Sequence, residues 1–342
     1  VPLAGTFLQQ ELAIITGACD AMVVDIQCVM QNLANVAKCF HTKVITTHPI
    51  AKMEQDNVLH IEFDEHHALE DAKRIVKIAI DNFKNRGSDV MIPQHKAAQV
   101  AGFGVESIEY HLGGSFRGTF YTLNDNIING RIRGVAGVVG CNNARTRHNE
   151  QHLTIVKELI KNDVLVLTTG CTAIACAMEG LLAPESAAAA SGPGLSEVCE
   201  VVGIPPVLHL GSCVDNSRIL LAATEVVKAG GLGNDLSDLP VAGSAPEWMS
   251  EKAISIGNYF VTSGVYTVFG VTLPTSGAPV FHDYISKEFE NIYGGMWDVE
   301  ADPVKHAHMM IAHIDKKRKA LGIDRARERV LMDMADRQAL QG

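Results

Sequence analysis

The stretch PPVLHLGSCVDNSRILLAA, residues 205–223, places a run of apolar residues directly before a cysteine and then opens a helical pattern. A short apolar run bounded by proline and glycine predicts a buried strand, and apolar residues at three- and four-residue spacing predict a helix. A buried strand followed by a helix is the repeating unit of a parallel α/β sheet. The stretch therefore predicts an α/β fold, with Cys213 at the carboxyl end of a strand.

The same alternation recurs along the chain and predicts the fold class. Helical patterns cover residues 67–85 and 149–162, and strands are predicted at 21–27, 43–48, 58–63, 89–94, 134–140, 163–170 and 205–212. A Gly-Ser turn after Arg86 marks a domain boundary. We predict two Rossmann-like, doubly wound parallel-sheet domains. The first, residues 1–86, is the incomplete C-terminal part of a middle domain, and the second is residues 87–342.

Two further segments are interpreted by composition. Residues 228–248 are rich in Gly, Pro and Asp, so we predict a long loop that forms a wall of the active site. After Pro303 the sequence predicts polar C-terminal helices, which include the stretch DRARERVLMDMADRQ, residues 324–338.

Composition excludes several classes of partner. The formal net charge of −10 over 342 residues argues against binding of nucleic acid or of an anionic membrane, because both attract clustered Lys and Arg. No apolar run reaches the roughly 20 residues that a membrane-spanning helix needs, and the first residues lack a secretory signal pattern. We therefore expect a soluble, cytoplasmic protein.

Cysteines are the clearest chemical signal in the sequence. Four of the eight follow a predicted strand directly, namely Cys28, Cys141, Cys171 and Cys213. Carboxyl ends of parallel strands open onto a common crevice where ligands bind, and helix N-termini there stabilise thiolates. Thiolates from distant strands suit a buried iron–sulfur cluster better than a zinc site with short CxxC pairs. Plain burial of small apolar side chains stays open as the alternative.

The remaining four cysteines are predicted to be packing residues, because they fall mostly in helical patterns: Cys19, Cys39, Cys176 and Cys199. The histidines of the C-terminal helix, His306, His308 and His313, do not share one helix face. We therefore predict packing or solvent contact for them and no metal site.

At these cysteines the chain resembles a known family. The segments that carry the resemblance are MVVDIQCVM (22–30), VVGCNN (138–143), TTGCTAIACA (168–177), HLGSCVDNSR (209–218) and APEWMSEKA (245–253). They are similar to the catalytic subunit of the anaerobic nickel–iron carbon monoxide dehydrogenases, relatives of the hybrid-cluster (prismane) proteins. The resemblance covers the whole chain. It implies reversible conversion of CO and water to CO2, two protons and two electrons at a Ni-Fe-S cluster.

The resemblance also implies roles for individual residues. Cys28, Cys141 and Cys171 correspond to thiolates that hold the iron–sulfur part of the cluster, and Cys213 corresponds to the thiolate that binds nickel. Lys252 corresponds to a lysine that stabilises the carboxylate-like intermediate. From the sequence, this lysine lies on a helix introduced by a capping box over residues 244–247. Ile256, one helical turn later, is a candidate wall of the gas-binding side.

One departure from the family pattern changes the expectation for the chain as given. Family members carry further cysteines for [4Fe–4S] clusters, a His and a Cys for the outlying iron, and catalytic histidines, all upstream of the position matching Cys28. These motifs are missing here. The resemblance therefore implies the C-terminal half, or slightly more, of such a subunit, with the further [4Fe–4S] clusters on the missing portion. Such a chain is expected to be inactive by itself.

Expected partners follow from the same family: a ferredoxin-like electron carrier, a second copy of the subunit in a homodimer, and an acetyl-CoA synthase. Three alternatives stay open. They are a hybrid-cluster-type reductase of small nitrogen species, a non-catalytic α/β scaffold module, and a nucleotide-binding Rossmann enzyme. The last is weakened by GFGVES (102–107), which has two of the three fingerprint glycines.

Overall fold

The computed structural model describes residues 5–26, 28–94, 96–113 and 118–325. Contacts divide the chain into two compact units, Val1–Ala97 and Ala98–Gly342. The domain boundary that the sequence suggests, between residues 86 and 87, stays a prediction. No helix in the described ranges combines the length and the apolar character needed to cross a bilayer.

Unit 1 contains a parallel sheet with the strand order β1-β2-β3 among its described residues. Its helices are α1 (Gln10–Ile15), α2 (Leu33–Ala37) and α3 (Ala68–Asn82), and its strands are β1 (Ala21–Val24), β2 (Lys43–Thr46) and β3 (Val58–His60). Apolar side chains from α1, β1, α2 and β2, including Ile14, Val24, Leu33 and Val44, form its core. The three strands predicted here are confirmed, each shorter than its apolar run.

One predicted strand of unit 1 is wrong. Residues 89–94 form no strand, and the backbone there is held by a bond from the Met91 N–H to the Thr16 carbonyl at 2.9 Å. Pro93 cannot donate to a ladder, which disfavours this segment as a paired strand.

Unit 2 is built on a parallel sheet with the order β6-β5-β4-β7-β8-β9 across the described residues. Its strands are β4 (Gly134–Val138), β5 (Val164–Thr169), β6 (Val207–Gly211), β7 (Val241–Ala245), β8 (Thr267–Phe269) and β9 (Trp297–Val299). The chain winds outward from β4 to β6, returns to the middle at β7, and winds outward again to β9. This is a doubly wound, Rossmann-like order, so the predicted fold class is confirmed.

Helices join the strands of unit 2 and bury the sheet. They are α4 (Val105–Leu112), α5 (Tyr121–Ile128), α6 (Glu150–Lys161), α7 (Gly170–Met178), α8 (Ser186–Ala190), α9 (Pro193–Val202), α10 (Ser217–Ala229), α11 (Glu251–Thr262), α12 (Pro279–Asp283), α13 (Phe289–Tyr293) and α14 (Pro303–Ala320). α6 packs against β5 and α14, and α10 packs against α4 and α5. Every residue of β5 is buried, as expected for a parallel strand covered on both faces.

The strand β7 is not predicted from the sequence, because its residues VAGSA lie inside the segment predicted as a loop. That prediction is wrong for residues 241–245, which form a central strand. Small residues suit this place: a methyl group on Gly243 would lie 2.9 Å from the Thr267 hydroxyl on the neighbouring strand. Close packing thus favours residues with weak strand propensity here. The strands β8 and β9 were missed as well, and the predicted helix of residues 324–338 lies largely outside the described residues.

Candidate metal centre

The point at which the strand order of unit 2 reverses lies between β4 and β7. Ligands of open α/β sheets bind outside the carboxyl ends of the strands at this point. Cys141 follows β4, Cys171 and Cys213 follow β5 and β6, and the segment after β7 leads to Lys252. The fold therefore brings these four predicted site residues to one edge of one sheet.

Four of the residues singled out from the sequence line a single cavity at this edge: Cys141, Cys213, Lys252 and Ile256. The cavity has a volume of about 40 Å³, and most of its lining is apolar, with Gly140 and Ala245 among the residues that border it. Cys141 is buried, and Cys213 is half-buried. Two predicted thiolate ligands, a cation and an apolar wall thus share one small space.

Cys171 lies close to Cys213, because Gly170, its neighbour in the sequence, packs against the Cys213 side chain. Gly170 begins α7 with a φ of +58°, a conformation that glycine adopts without strain. A methyl group on its Cα would overlap the Sγ atom of Cys213. The buried Thr169 hydroxyl also donates a hydrogen bond to the side-chain oxygen of Asn216, three residues after Cys213. The segments that carry Cys171 and Cys213 are therefore in direct contact.

Cys28 belongs to unit 1, in the loop after β1. Its backbone has a φ of +56°, unusual for a residue other than glycine, and its carbonyl accepts a hydrogen bond from Gln10 Nε2 at 3.0 Å. The side chain is half-buried. Its part in a cluster stays a prediction from the sequence.

In the part of the chain that the structure describes, no three His, Cys, Asp or Glu side chains surround a common point as ligands of one metal ion. A metal–sulfur cluster places different demands on the chain, because its cysteines bind different metal atoms and lie farther apart than the ligands of one ion. Thiols at separate strand ends beside a shared cavity fit that requirement. The donor chemistry, sulfur from cysteine, is the kind that iron–sulfur clusters select.

Lys252 lies in the first turn of α11, and its local setting differs from the sequence prediction. The predicted capping box over residues 244–247 is wrong, because Ser244 belongs to β7 and the helix begins after Ser250. Lys252 is half-buried, and no described carboxylate forms an ion pair with it. A lysine in the first turn of a helix is mildly disfavoured by the helix dipole, so helix stability does not explain a cation at this position.

Sequence reasoning missed two buried residues at this edge, His152 on α6 and Glu247 after β7. Both side chains are fully buried. His152 contacts the Cys141 carbonyl, and Glu247 contacts the backbone of the same loop. Burial lowers the pKa of His152, which keeps the ring neutral. Glu247 stands in the APEWMSEKA segment, so its position in that motif is the signal that could have drawn attention to it.

The cysteines predicted to be packing residues in this unit, Cys176 and Cys199, are confirmed as such. Burial raises the pKa of each thiol to about 12, so both stay protonated at neutral pH. The same prediction is wrong for Cys39 of unit 1, whose side chain is exposed. The packing or solvent contact predicted for the three histidines of α14 is also confirmed. His306 is buried against Ser244, His308 is exposed beside Glu158, and His313 stacks on Tyr266.

Comparison with known proteins identifies the family. Residues 1–304 match the Prismane/CO dehydrogenase family. The chain belongs to this family. Carbon monoxide dehydrogenase 1 of Methanosarcina mazei is 52% identical over 324 residues, which cover 94% of this chain and 50% of that protein. The chain thus spans about half the length of the curated relatives it matches.

Solved structures agree with this membership. A nickel-free carbon monoxide dehydrogenase from Thermococcus sp. AM4 superimposes with a TM-score of 0.86 at 52% identity, covering 94% of this chain and 50% of that one. An acetyl-CoA synthase/carbon monoxide dehydrogenase with NiZn[Fe4S4] and NiNi[Fe4S4] clusters in its alpha subunits gives a TM-score of 0.87 at 37% identity, covering 94% of this chain and 49% of that one. The family resemblance drawn from the cysteine segments is therefore confirmed.

Proposed function

We propose that this chain is the cluster-binding part of a nickel–iron carbon monoxide dehydrogenase, which converts CO and water reversibly to CO2, two protons and two electrons. The observation that carries the proposal is the single cavity lined by Cys141, Cys213, Lys252 and Ile256 in a chain of this family. When bound, the Ni-Fe-S cluster supplies the redox capacity that takes up two electrons. The protein supplies thiolates, a cation and a closed space.

Different thiolates are proposed to bind different metals of the cluster. In the proposed assignment, Cys213 holds nickel, and Cys28, Cys141 and Cys171 hold the iron–sulfur part. The closeness of the Cys213 sulfur to Gly170 supports one shared cluster, because Cys171 follows Gly170 directly in the sequence.

Lys252 stabilises the negative charge that develops as CO gains an oxygen atom. Its ammonium group and the N-terminal dipole of α11 have the same sign and would act on the same anion. Charge stabilisation of this kind is strongest where water is excluded. Ile256 and Phe260 line the cavity with apolar side chains, and such surroundings have a lower dielectric constant than water.

The chemistry of the cavity lining supports a small, uncharged substrate, because apolar side chains such as Ile256, Phe260 and Phe269 line the cavity together with the two thiols. The half-length match is consistent with a chain that needs a further portion for electron exit, as the sequence predicts.

Partners belong to the proposal as well. Two electrons per turnover require an acceptor, for which a ferredoxin-like carrier is the proposed class. The structural similarity to an acetyl-CoA synthase/carbon monoxide dehydrogenase supports a synthase as a further partner. Homodimer formation stays a prediction.

The test is the nickel and iron content of the protein purified without oxygen, with its visible absorption. We expect nickel and several irons per chain. In the Cys213→Ala variant we expect loss of nickel with survival of the iron–sulfur absorption. Equal nickel occupancy in Cys213→Ala and in wild type would contradict the assignment. Absence of both metals, also when the chain is extended to the length of its relatives, would favour a scaffold module.

A further inference from the structure

The buried polar groups behind the candidate metal centre form connections between the segments that carry its cysteines. His152, in the first turn of α6, is the first connection. Its Nε2 lies 2.9 Å from the Cys141 carbonyl oxygen, and its Nδ1 lies 3.0 Å from the Thr172 hydroxyl. A carbonyl only accepts, so Nε2 donates to Cys141 and Nδ1 accepts from Thr172. One imidazole thus joins the Cys141 loop to the residue that follows Cys171.

Glu247 is the second connection. One carboxyl oxygen accepts from the Gln151 N–H at 3.3 Å, and the other lies 3.4 Å from Asn142 Nδ2 and 3.5 Å from the Asn143 N–H. Asn143 Nδ2 in turn donates to the Trp248 carbonyl at 3.2 Å. Glu247 therefore joins the Cys141 loop and the start of α6 to the segment that leads into the Lys252 helix.

Neither residue is explained by stability. Burying a carboxyl group and an imidazole costs free energy, and well-packed apolar side chains in such places are often neutral or stabilising. Fixing the relative positions of several segments is the role for which buried polar groups are best suited, because each hydrogen bond specifies a distance and a direction. The neighbouring contact of Thr169 with Asn216 extends the same connections to the Cys213 segment.

We propose that His152 and Glu247 are positioning residues that hold the Cys141 loop, the first turn of α7 and the start of α11 in the register needed to assemble the metal centre. This inference rests on the proposed function, because binding a metal centre is the reason for fixing the relative positions of these segments. Groups behind metal ligands set the orientation of those ligands, and their loss costs about 10- to 100-fold in metal affinity. His152 acts through the backbone of Cys141 and through Thr172, and touches no substrate.

The test compares His152→Leu, which removes both hydrogen bonds, with His152→Gln, whose amide N–H can still donate to the Cys141 carbonyl. The matched control is Asn124→Leu. Asn124 is buried in the same unit and donates to the carbonyls of Val226 and Gly230, far along the chain from the cysteine segments. Each variant is made in the full chain, and two properties are measured.

The first property is backbone amide hydrogen exchange of the metal-free protein at residues 140–145 and 170–174. We expect His152→Leu to accelerate exchange in both segments together by about 10-fold or more relative to Asn124→Leu, with partial recovery in His152→Gln. The second property is iron and nickel affinity, with the absorption spectrum of the loaded protein. We expect affinity about 10-fold lower and an altered spectrum in His152→Leu, and wild-type values in Asn124→Leu.

Equal exchange in the two segments for His152→Leu and Asn124→Leu would overturn the positioning role, and so would equal metal affinity and spectrum. A wild-type protein that takes up neither metal, also when the chain is extended to the length of its relatives, would instead contradict the proposed function. In that case the exchange experiment still decides whether His152 couples the two segments. Glu247→Gln, which keeps the size of the side chain and one acceptor oxygen, is expected to have a smaller effect in the same direction.

Discussion

The two cysteines of α7 have different surroundings although they lie on the same helix. Cys171 is in the first turn, directly after β5, and its neighbour Gly170 contacts the sulfur of Cys213. Cys176 faces the apolar core, where burial raises the pKa of its thiol to about 12. Only a thiolate binds metal well, so a thiol with such a pKa is a poor ligand. Position relative to the strand end, and not residue type, separates the surroundings of the two cysteines.

Among the changes that test this comparison, Lys252→Ala has the largest expected effect, because Lys252 lines the cavity at the strand ends. We expect the rate of CO oxidation by the loaded enzyme, with the chain extended to the length of its relatives, to fall by about 10²- to 10³-fold, as when one charge-stabilising donor is removed. Nickel and iron content should not change, because Lys252 is not a proposed ligand. Lys228→Ala is the control, since Lys228 pairs with Glu225 on the exposed side of α10. Unchanged activity in Lys252→Ala would remove the lysine from the mechanism.

Gly170→Ala changes the contact between the segment of Cys171 and the side chain of Cys213. The new methyl group would displace the Cys213 sulfur, so we expect lower nickel occupancy and a loss of stability of about 1–2 kcal/mol from the positive φ. Gly180→Ala is a close control, because Gly180 has a φ of +77° and open space where a Cβ would lie. It should lose similar stability and keep its nickel. Equal nickel in both variants would show that the contact is unimportant.

Cys176→Ser tests the prediction that the cysteine in the apolar core has no part in metal binding. A hydroxyl buried in apolar surroundings without a partner costs about 1–3 kcal/mol, so the free energy of unfolding should fall by that amount. Metal content should stay at the wild-type level. Cys39 is exposed, and Cys39→Ser should change stability by less than about 0.5 kcal/mol. Urea unfolding gives both values, and loss of metal in Cys176→Ser would break the distinction between the two cysteines.

His306, like Cys176, is a titratable group buried in unit 2. Burial lowers the pKa of its imidazole from 6.5 to about 4. The unfolded chain then binds more protons than the folded one between these values, so stability falls as pH decreases from about 6.5 towards 4. The expected loss from His306 between pH 7 and pH 5 is about 2 kcal/mol.

Urea unfolding of the metal-free protein at the two pH values measures this loss. In His306→Asn the difference between pH 7 and pH 5 should shrink by about the same amount. His308→Asn, a change on the exposed side of the same helix, should leave the difference as in wild type. A His306→Asn protein with the wild-type difference would contradict the assignment of acid sensitivity to this residue.

Strand prediction shows how far local patterns reach in this chain. The runs at 134–140, 163–170 and 205–212 are predicted well because each contains several adjacent apolar residues. β5 is buried along its whole length, and β4 and β6 combine buried with half-buried residues. The strand β7 has no such signal, because its small residues are selected by close neighbours in the sheet. Residues 89–94 give the opposite error, since an apolar pattern there finds no partner strand.

The sequence by itself determined the alternating α/β class, the place of four cysteines after apolar runs, and the segments that identify the family. These are local properties, set by periodicity and by the order of residue types along the chain. Tertiary structure alone decided that β7 enters the sheet beside β4, so that Lys252 and Cys213 share a cavity with Cys141. It also brought His152 and Glu247 to the backbone behind the cysteines. Contacts between residues that are distant in sequence depend on strand order and burial, which no local pattern records.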